Sequence, residues 1–183
     1  MDEAKRKKMM KEAYQNPDLE TSLWDRVMAL NAAIADDPDY LGPDTIAHRA
    51  GNTKLLKVEP GRTEWEMDVT PAHANKSGNM HGGMACIILD NLTSTALLTL
   101  AKPGFLDAGH VSRTITMSYL RPVPIGAKIK VVAEAVAAGR NTANLKGEIQ
   151  IDGKVCVTCI HDKVVFKKGE VHPNQKPKHK AKL

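Results

Sequence analysis

The sequence predicts an α+β fold in which a curved antiparallel sheet wraps around one long central helix. From Met84 to Leu100 the residues are apolar nearly all the way round a helix, which is typical of a helix buried inside a larger protein. One long helix followed by consecutive strands indicates the α+β class. The strand-like segments after the helix are residues 110–119, 127–137, 142–151 and 154–166.

Turn residues separate these elements. The central helix is predicted from Gly83 to Leu100 and ends before Pro103-Gly104. Asp152-Gly153 is a strong hairpin signal between the last two strands. The other turns are marked by Pro122, Pro124 and Gly139. These positions favour strands joined by short connections, and therefore antiparallel neighbours.

An extra helix is predicted before the sheet. Asn16-Pro17 is typical of a helix start, and apolar residues recur at helical spacing as far as Asp36-Asp37-Pro38. Residues 39–52 are predicted to be a loop. Strands follow at Lys54 to Val58 and at Thr63 to Val69, and the second alternates strictly between polar and apolar residues.

These patterns divide the chain into three parts. Residues 1–52 are predicted to be an N-terminal helical extension, and residues 53–168 the main domain. Residues 169–183 are rich in Lys, Pro and His and are predicted to be a disordered basic tail.

Composition excludes several classes of function. The net charge of +5 comes from residues 163–183, where seven lysines face one glutamate, so the remainder carries a net charge of −1. The excess positive charge therefore lies in the C-terminal tail, and a nucleic-acid-binding face is not expected. Aromatic residues make up only 4% of the chain, which disfavours stacking on single-stranded nucleic acid. No uncharged apolar run approaches the ~20 residues that span a membrane, and the basic N-terminus is not followed by the apolar segment of a secretory signal.

The three cysteines are expected to be buried, reduced thiols. Cys156 and Cys159 form a C-x-x-C pair, which raises a redox or zinc-binding alternative. Residues three apart on a strand point to opposite faces, and the sequence holds no second ligand pair. With Cys86 the number is odd, which favours a reducing compartment over a disulfide framework.

The most informative stretch reads Asn75, then His81-Gly82-Gly83, then Asp90. A carboxylate within a buried helix is costly unless it is paired or hydrogen-bonded. The glycines permit close approach to the first helical turn, where free N–H groups favour negative charge. Asp90 lies roughly two turns, on the order of 10 Å, from the glycines. Either a substrate spans this gap, or Asp90 of one chain faces the glycines of a second, antiparallel copy.

Together with Val111-Ser112, this stretch resembles the signature of the hotdog-fold acyl-CoA thioesterases, in their phenylacetate-degradation-type branch. The resemblance covers residues 53–168. It implies a hotdog fold, an acyl-CoA substrate and a homodimer or homotetramer with shared active sites. Because a thioester is already activated, hydrolysis needs a base and an oxyanion site, and we expect no metal or redox cofactor.

Each residue has an expected role and a structural alternative. Asp90 activates water as a general base or attacks the thioester as a nucleophile; alternatively it forms a structural cap or ion pair. The Gly82 N–H serves as an oxyanion donor, whereas the glycines could instead simply allow close packing. By resemblance, His81 fixes the oxyanion loop, Asn75 holds the water or the thioester, and Ser112 orients the water. Asn75 could instead shape a turn, and Ser112 could be a polar residue without a function.

Coenzyme A requires positive charge at the mouth of its pocket. Arg121 and Arg140 are candidates because arginine binds phosphate with two hydrogen bonds; the alternative is that each is a solvated turn residue. Gly83 is expected to line the substrate site at the start of the helix. His161, on the last strand, is expected to be structural.

The last three residues, Ala181-Lys182-Leu183, fit the small–basic–leucine form of the peroxisomal address. We therefore expect a peroxisomal import receptor as a partner and a peroxisomal location, with the cytoplasm as the alternative. Two other functions stay open. One is a hotdog enoyl-CoA hydratase, which needs an Asp and a His at a shorter spacing, and the other is a non-catalytic protein that binds acyl-CoA.

Overall fold

The computed structural model describes residues 20–35 and 42–167. The expected helix start at Asn16-Pro17, the basic tail and the C-terminal tripeptide lie outside these residues. Within the described ranges there are three α-helices and six strands, and a short 3-10 turn spans Pro71–His73. The elements are α1 (Leu23–Ala35), α2 (Pro43–Ala50), β1 (Lys54–Glu59), β2 (Arg62–Asp68), α3 (Gly82–Leu98), β3 (His110–Tyr119), β4 (Lys128–Ala138), β5 (Thr142–Ile151) and β6 (Lys154–Val165).

The six strands form one antiparallel sheet in the order β1-β2-β4-β5-β6-β3. The central helix α3 packs on one face of this sheet, against β2, β4, β5, β3 and β6. This architecture confirms the predicted α+β class. The strand order leaves β1 and β3 at the two edges, so one side of β3 keeps unpaired backbone N–H and C=O groups.

Close packing between α3 and the sheet depends on Gly147 in β5. A Cβ atom at this position would lie 2.8 Å from Cγ2 of Thr93 and 2.9 Å from both Sγ of Cys159 and Cδ2 of Leu89. Real side chains do not approach so closely, so the absence of a Cβ allows the helix to lie directly on the strand. The residues of α3 from Leu92 to Leu98 are all buried in consequence.

The N-terminal extension packs against the main domain through Arg26 of α1. This side chain is buried, and its Nη2 donates hydrogen bonds to the carbonyl oxygens of Leu98 (3.1 Å) and Ala101 (3.0 Å). Carbonyl groups at the end of a helix have no partner within the helix. The arginine therefore caps the C-terminus of α3 and fixes α1 beside it.

The predicted loop at residues 39–52 was wrong, because Pro43–Ala50 form helix α2. Its first turn begins with a proline, which is compatible with a helix start. Tertiary contacts hold this short helix: Ala47 is fully buried, and its carbonyl oxygen lies 2.9 Å from Nε2 of His73. Gly51 ends the helix by donating its backbone N–H to the Ala47 carbonyl.

The first half of α3 is less buried than we expected. One stripe, defined by Gly83, Ile87 and Asp90, is partly or fully exposed in the single chain. Asp90 has 43% of its side chain exposed, so it is not the buried carboxylate that the sequence predicted. The spacing of the stripe is that of one helical face. This face carries the candidate site.

None of the helices in the described ranges is long and apolar enough to cross a membrane.

Candidate active site

Asp90 and Ser112 form a direct hydrogen bond between α3 and β3. Oγ of Ser112 donates to Oδ1 of Asp90 over 2.5 Å. A β-bulge follows Ser112, since the register with β6 shifts between Ser112 and Thr114. Such bulges bend a strand and re-aim its side chains. Asp90 and Ser112, which the resemblance assigned to one site, are therefore in contact.

Two buried residues of β6 lie behind this pair. Nε2 of His161 is 3.2 Å from Oδ1 of Asp90 but does not form a hydrogen bond with it. Nζ of Lys163 donates to Oγ of Ser112 over 3.1 Å and lies 3.9 Å from Oδ1 of Asp90. The sequence analysis missed Lys163 and treated His161 as structural. Ionisable residues at core-facing positions of an alternating strand are the signal that could have revealed both.

Burial sets the protonation of these two groups. Burial, together with the positive charge of Lys163, lowers the pKa of His161 to about 4, and the negative charge of Asp90 opposes both effects. His161 is therefore neutral at neutral pH. Burial also lowers the pKa of Lys163 to about 8, against the stabilising charge of Asp90. Lys163 is thus mainly protonated at pH 7.

The start of α3 opens into a cavity of about 650 Å³. Its wall includes Asn75, Gly82 and Gly83. Oδ1 of Asn75 accepts the backbone N–H groups of Ser77 (2.9 Å) and Asn79 (3.3 Å). The side-chain oxygen thus shapes a turn, and the amide group of Asn75 is left to act as a donor.

The two glycines differ in what their N–H groups do. The Gly83 N–H donates to Nδ1 of His81 over 2.9 Å, which makes His81 the N-cap of α3. The Gly82 N–H has no acceptor among the described residues. The hydroxyl of Tyr119 donates to the Gly82 carbonyl over 2.9 Å, and a Cβ at Gly82 would lie 3.2 Å from this ring. Tyr119 was not predicted, because its contact depends on strand placement.

The two candidate arginines lie in different places. Arg121 lines the same cavity as Gly82, and its Nη1 donates to the Val155 carbonyl over 2.6 Å. Arg140 instead lines a separate cavity of about 670 Å³ beside Phe166. Within one chain, only Arg121 is close to the start of the helix.

The single chain separates the site into two halves. Asn75, Gly82 and Arg121 line the cavity, whereas Asp90 and Ser112 do not contribute to its wall. Gly82 and Asp90 are eight residues apart on one helix, or about 12 Å along its axis. Both halves lie beside the exposed stripe of α3. Across the described ranges, no group of three or more His, Cys, Asp and Glu residues is arranged to hold a metal ion.

Comparison with known proteins shows which proteins this chain is similar to. The thioesterase superfamily matches residues 77–158, a range that includes His81, Gly82, Asp90 and Ser112. The matched range spans a little under half of the chain. Its fold is the hotdog fold predicted from the resemblance.

Individual known proteins and structures are also similar to this chain. Human acyl-coenzyme A thioesterase 13 is 30% identical over 93 residues, which cover 51% of this chain and 64% of the relative, just under two thirds of its length. The structure of zebra fish thioesterase superfamily member 2 has a TM-score of 0.69 at 24% identity and covers 80% of this chain and 100% of its own. A phenylacetic acid degradation-related protein from Ralstonia eutropha has a TM-score of 0.58 at 27% identity, over 64% of this chain and 88% of its own.

Proposed function

We propose that this chain is a member of the thioesterase superfamily and hydrolyses an acyl-CoA to a free carboxylic acid and coenzyme A. The hydrogen bond from Ser112 to Asp90 carries the proposal. It occupies Oδ1 of Asp90, while Oδ2 has no hydrogen-bond partner in the described part of the chain. An exposed carboxylate oxygen with a fixed orientation suits a general base that takes a proton from water. Similarity to human acyl-coenzyme A thioesterase 13 supports an acyl-CoA substrate.

The oxyanion of the tetrahedral intermediate would be bound at the start of α3. The Gly82 N–H is the proposed donor because it has no acceptor within the described ranges. The amide group of Asn75 is the second candidate, since its oxygen is already used in the turn. His81 would hold this turn in place through the Gly83 N–H. One preorganised donor of this kind contributes about 3–4 kcal/mol to a transition state.

We propose that two chains share each active site. Within one chain the Asp90 half and the Gly82 half are too far apart to reach the same thioester carbon. If two α3 helices pack antiparallel along their exposed stripes, Asn75 and Gly82 of one chain face Asp90 and Ser112 of the other. The open edge of β3, next to the same stripe, leaves room for a second subunit. The resemblance further implies that two such dimers pair into a tetramer.

Coenzyme A would bind at the mouth of the cavity beside Gly82. Arg121 is the candidate for its phosphates, because it lines this cavity and arginine binds phosphate oxygens with two parallel hydrogen bonds. Arg140 lines a different cavity. It could therefore contact coenzyme A only if the coenzyme extended from the active site of another chain.

A panel of acyl-CoA substrates tests the reaction. We expect release of free thiol from at least one aliphatic or aryl acyl-CoA, at a rate proportional to protein concentration. Loss of the enoyl absorbance without thiol release would instead indicate an enoyl-CoA hydratase. Tight binding of acyl-CoA with no turnover over hours would indicate a non-catalytic binding protein. Either result would reject the proposed hydrolysis.

We also propose that Ala181-Lys182-Leu183 directs the protein to peroxisomes. A fluorescent protein ending in the last dozen residues of this chain should collect in peroxisomes. Deletion of Leu183 should leave it in the cytosol, because the receptor reads the terminal leucine together with its carboxylate. Diffuse signal from the intact tail would reject the location without affecting the proposed chemistry at Asp90.

A further inference from the structure

Lys163 is a buried cation behind the Asp90–Ser112 pair. Only 3% of the residue is exposed, and lysines are almost never fully buried unless they are paired. In the sheet, Lys163 of β6 is the register partner of Ser112 on β3. Its side chain points to the same face as His161, two residues earlier on the strand. The lysine therefore belongs to the structure around the proposed base.

The hydrogen bond between Lys163 and Ser112 has a fixed direction. A protonated lysine can only donate, so Oγ of Ser112 must accept from Nζ over 3.1 Å. The hydroxyl hydrogen of Ser112 is then directed to Oδ1 of Asp90. The three side chains form a one-way chain of donors that runs from Lys163 through Ser112 to Asp90.

The other titratable groups around the ammonium group are neutral histidines and one carboxylate. Burial lowers the pKa of His110 on β3 to about 3 and that of His161 on β6 to about 4. Asp90 on α3 faces Lys163 as its negative counterpart. The register partner of Lys163 on β5 is the apolar Ala143. At neutral pH these surroundings leave the charge of Lys163 to act on Ser112 and Asp90.

We propose that Lys163 is a positioning residue for hydrolysis, which makes Ser112 a donor to Oδ1 of Asp90 and so presents Oδ2 to the attacking water. This inference rests on the proposed function. In the step itself, a water O–H bond breaks and its proton moves to Oδ2, while the water oxygen bonds to the thioester carbon and the carbonyl π pair moves to the carbonyl oxygen. The C=O double bond then re-forms as the C–S bond breaks, and the proton passes from Oδ2 to the sulfur of coenzyme A. Lys163 keeps its proton throughout.

Deprotonation of Lys163 would reverse the donor chain. A neutral amine can accept the hydroxyl hydrogen of Ser112, and Asp90 would then lose its donor. Because burial lowers the pKa of Lys163 to about 8, kcat should fall as the pH rises through this value. A lysine with a purely structural role would not produce such an alkaline limb.

The test compares kcat and KM of the full-length parent, Lys163→Met and Lys163→Arg from about pH 6 to about pH 10. Lys163→Met should lower kcat roughly tenfold to a hundredfold at pH 7 with KM within about twofold. The remaining activity should lack the decline near pH 8. Lys163→Arg should recover part of kcat and should not decline near pH 8, because an arginine stays charged. Lys146→Met is the matched control, since Lys146 pairs with Glu148 and is 45% exposed; its kcat and pH profile should equal those of the parent.

Three results would overturn the inference. If the parent is active and Lys163→Met has the same kcat, the positioning role of Lys163 is rejected and the proposed hydrolysis still stands. If kcat of the parent does not change between about pH 7 and pH 10, the positioning role of Lys163 is also rejected, even if the variants fail to fold. A parent that hydrolyses no acyl-CoA would reject the proposed function and this inference with it.

Discussion

Oγ of Ser112 lies 2.5 Å from Oδ1 of Asp90 and donates its hydrogen to this oxygen, joining an edge strand to the central helix. The contact orients a carboxylate that is otherwise partly exposed. A carboxylate with one oxygen hydrogen-bonded and the other open can accept a proton from water in a defined direction. The proposed role of Ser112 in chemistry at Asp90 rests on this contact between β3 and α3.

Ser112→Ala should lower kcat roughly tenfold to a hundredfold, because the carboxylate loses its charge-assisted hydrogen bond. KM should change little, since Ser112 lies outside the cavity that starts at Gly82. Steady-state thiol release checks the prediction. Ser118→Ala, an exposed serine on the same strand, is the control and should keep full activity. A rise in KM alone would place Ser112 in substrate binding instead.

Mixing two inactive variants tests the shared site. Asn75→Ala removes a side chain that lines the cavity, and Asp90→Ala removes the proposed base. Each variant homodimer should therefore be inactive. A mixed dimer would hold one intact site, formed by Asn75 of one chain and Asp90 of the other. Recovery of up to about a quarter of the parent rate is expected from random exchange between dimers. If subunits exchange but no activity returns, Asn75, Gly82, Asp90 and Ser112 act within one chain.

Gly147→Ala should destabilise the fold. The new methyl group would clash with side chains of α3 and β6, including Thr93 and Cys159. Overpacking of this kind costs about 1–3 kcal/mol of unfolding free energy. Urea denaturation measures the loss. Gly139→Ala is the control, because its nearest contact would be 3.4 Å from the Thr142 carbonyl oxygen, and it should change stability by less than about 0.5 kcal/mol.

Buried histidines should make stability depend on pH below neutrality. Burial lowers the pKa of His48 and His161 to about 4 and that of His110 to about 3, whereas an unfolded histidine titrates near 6.5. Between these values the unfolded state binds more protons, so the free energy of unfolding should fall as the pH drops from 6.5 towards 4. Urea denaturation at several pH values measures this slope. His48→Gln should reduce it, and an unchanged slope would contradict the assignment.

Much of the fold was predictable because turn residues bound the elements. Strands β3 and β5 begin and end where we expected, next to the Gly109 and Asp152-Gly153 turns. Helix α2 was missed because it is short and contains only one large apolar residue, Ile46. It depends on tertiary contacts instead, such as the hydrogen bond from Thr45 Oγ1 to the Ile34 carbonyl. Local sequence does not report such contacts.

Residue spacing alone predicted the candidate site only where its residues are close in sequence, and Ser112 was added by the resemblance. The spacing between Asn75, Gly82 and Asp90 is carried by one turn and one helix, so it can be read directly. Lys163 touches Ser112 across 51 positions of sequence, through the pairing of two strands. Tyr119 reaches Gly82 in a similar way, between a strand and a helix. Contacts that depend on strand register need the structure.

The most direct test of the central claim is thiol release from the best acyl-CoA substrate by Asp90→Asn and Asp90→Ala. Each should lose at least about a hundredfold in kcat, because neither side chain can take a proton from water. Asp152→Asn is the matched control; Asp152 has φ +49° in the last hairpin turn, a conformation that asparagine also tolerates, and its kcat should equal that of the parent. Parent-level activity in both Asp90 variants, with folding verified by circular dichroism, would contradict the role of Asp90 and with it the proposed mechanism.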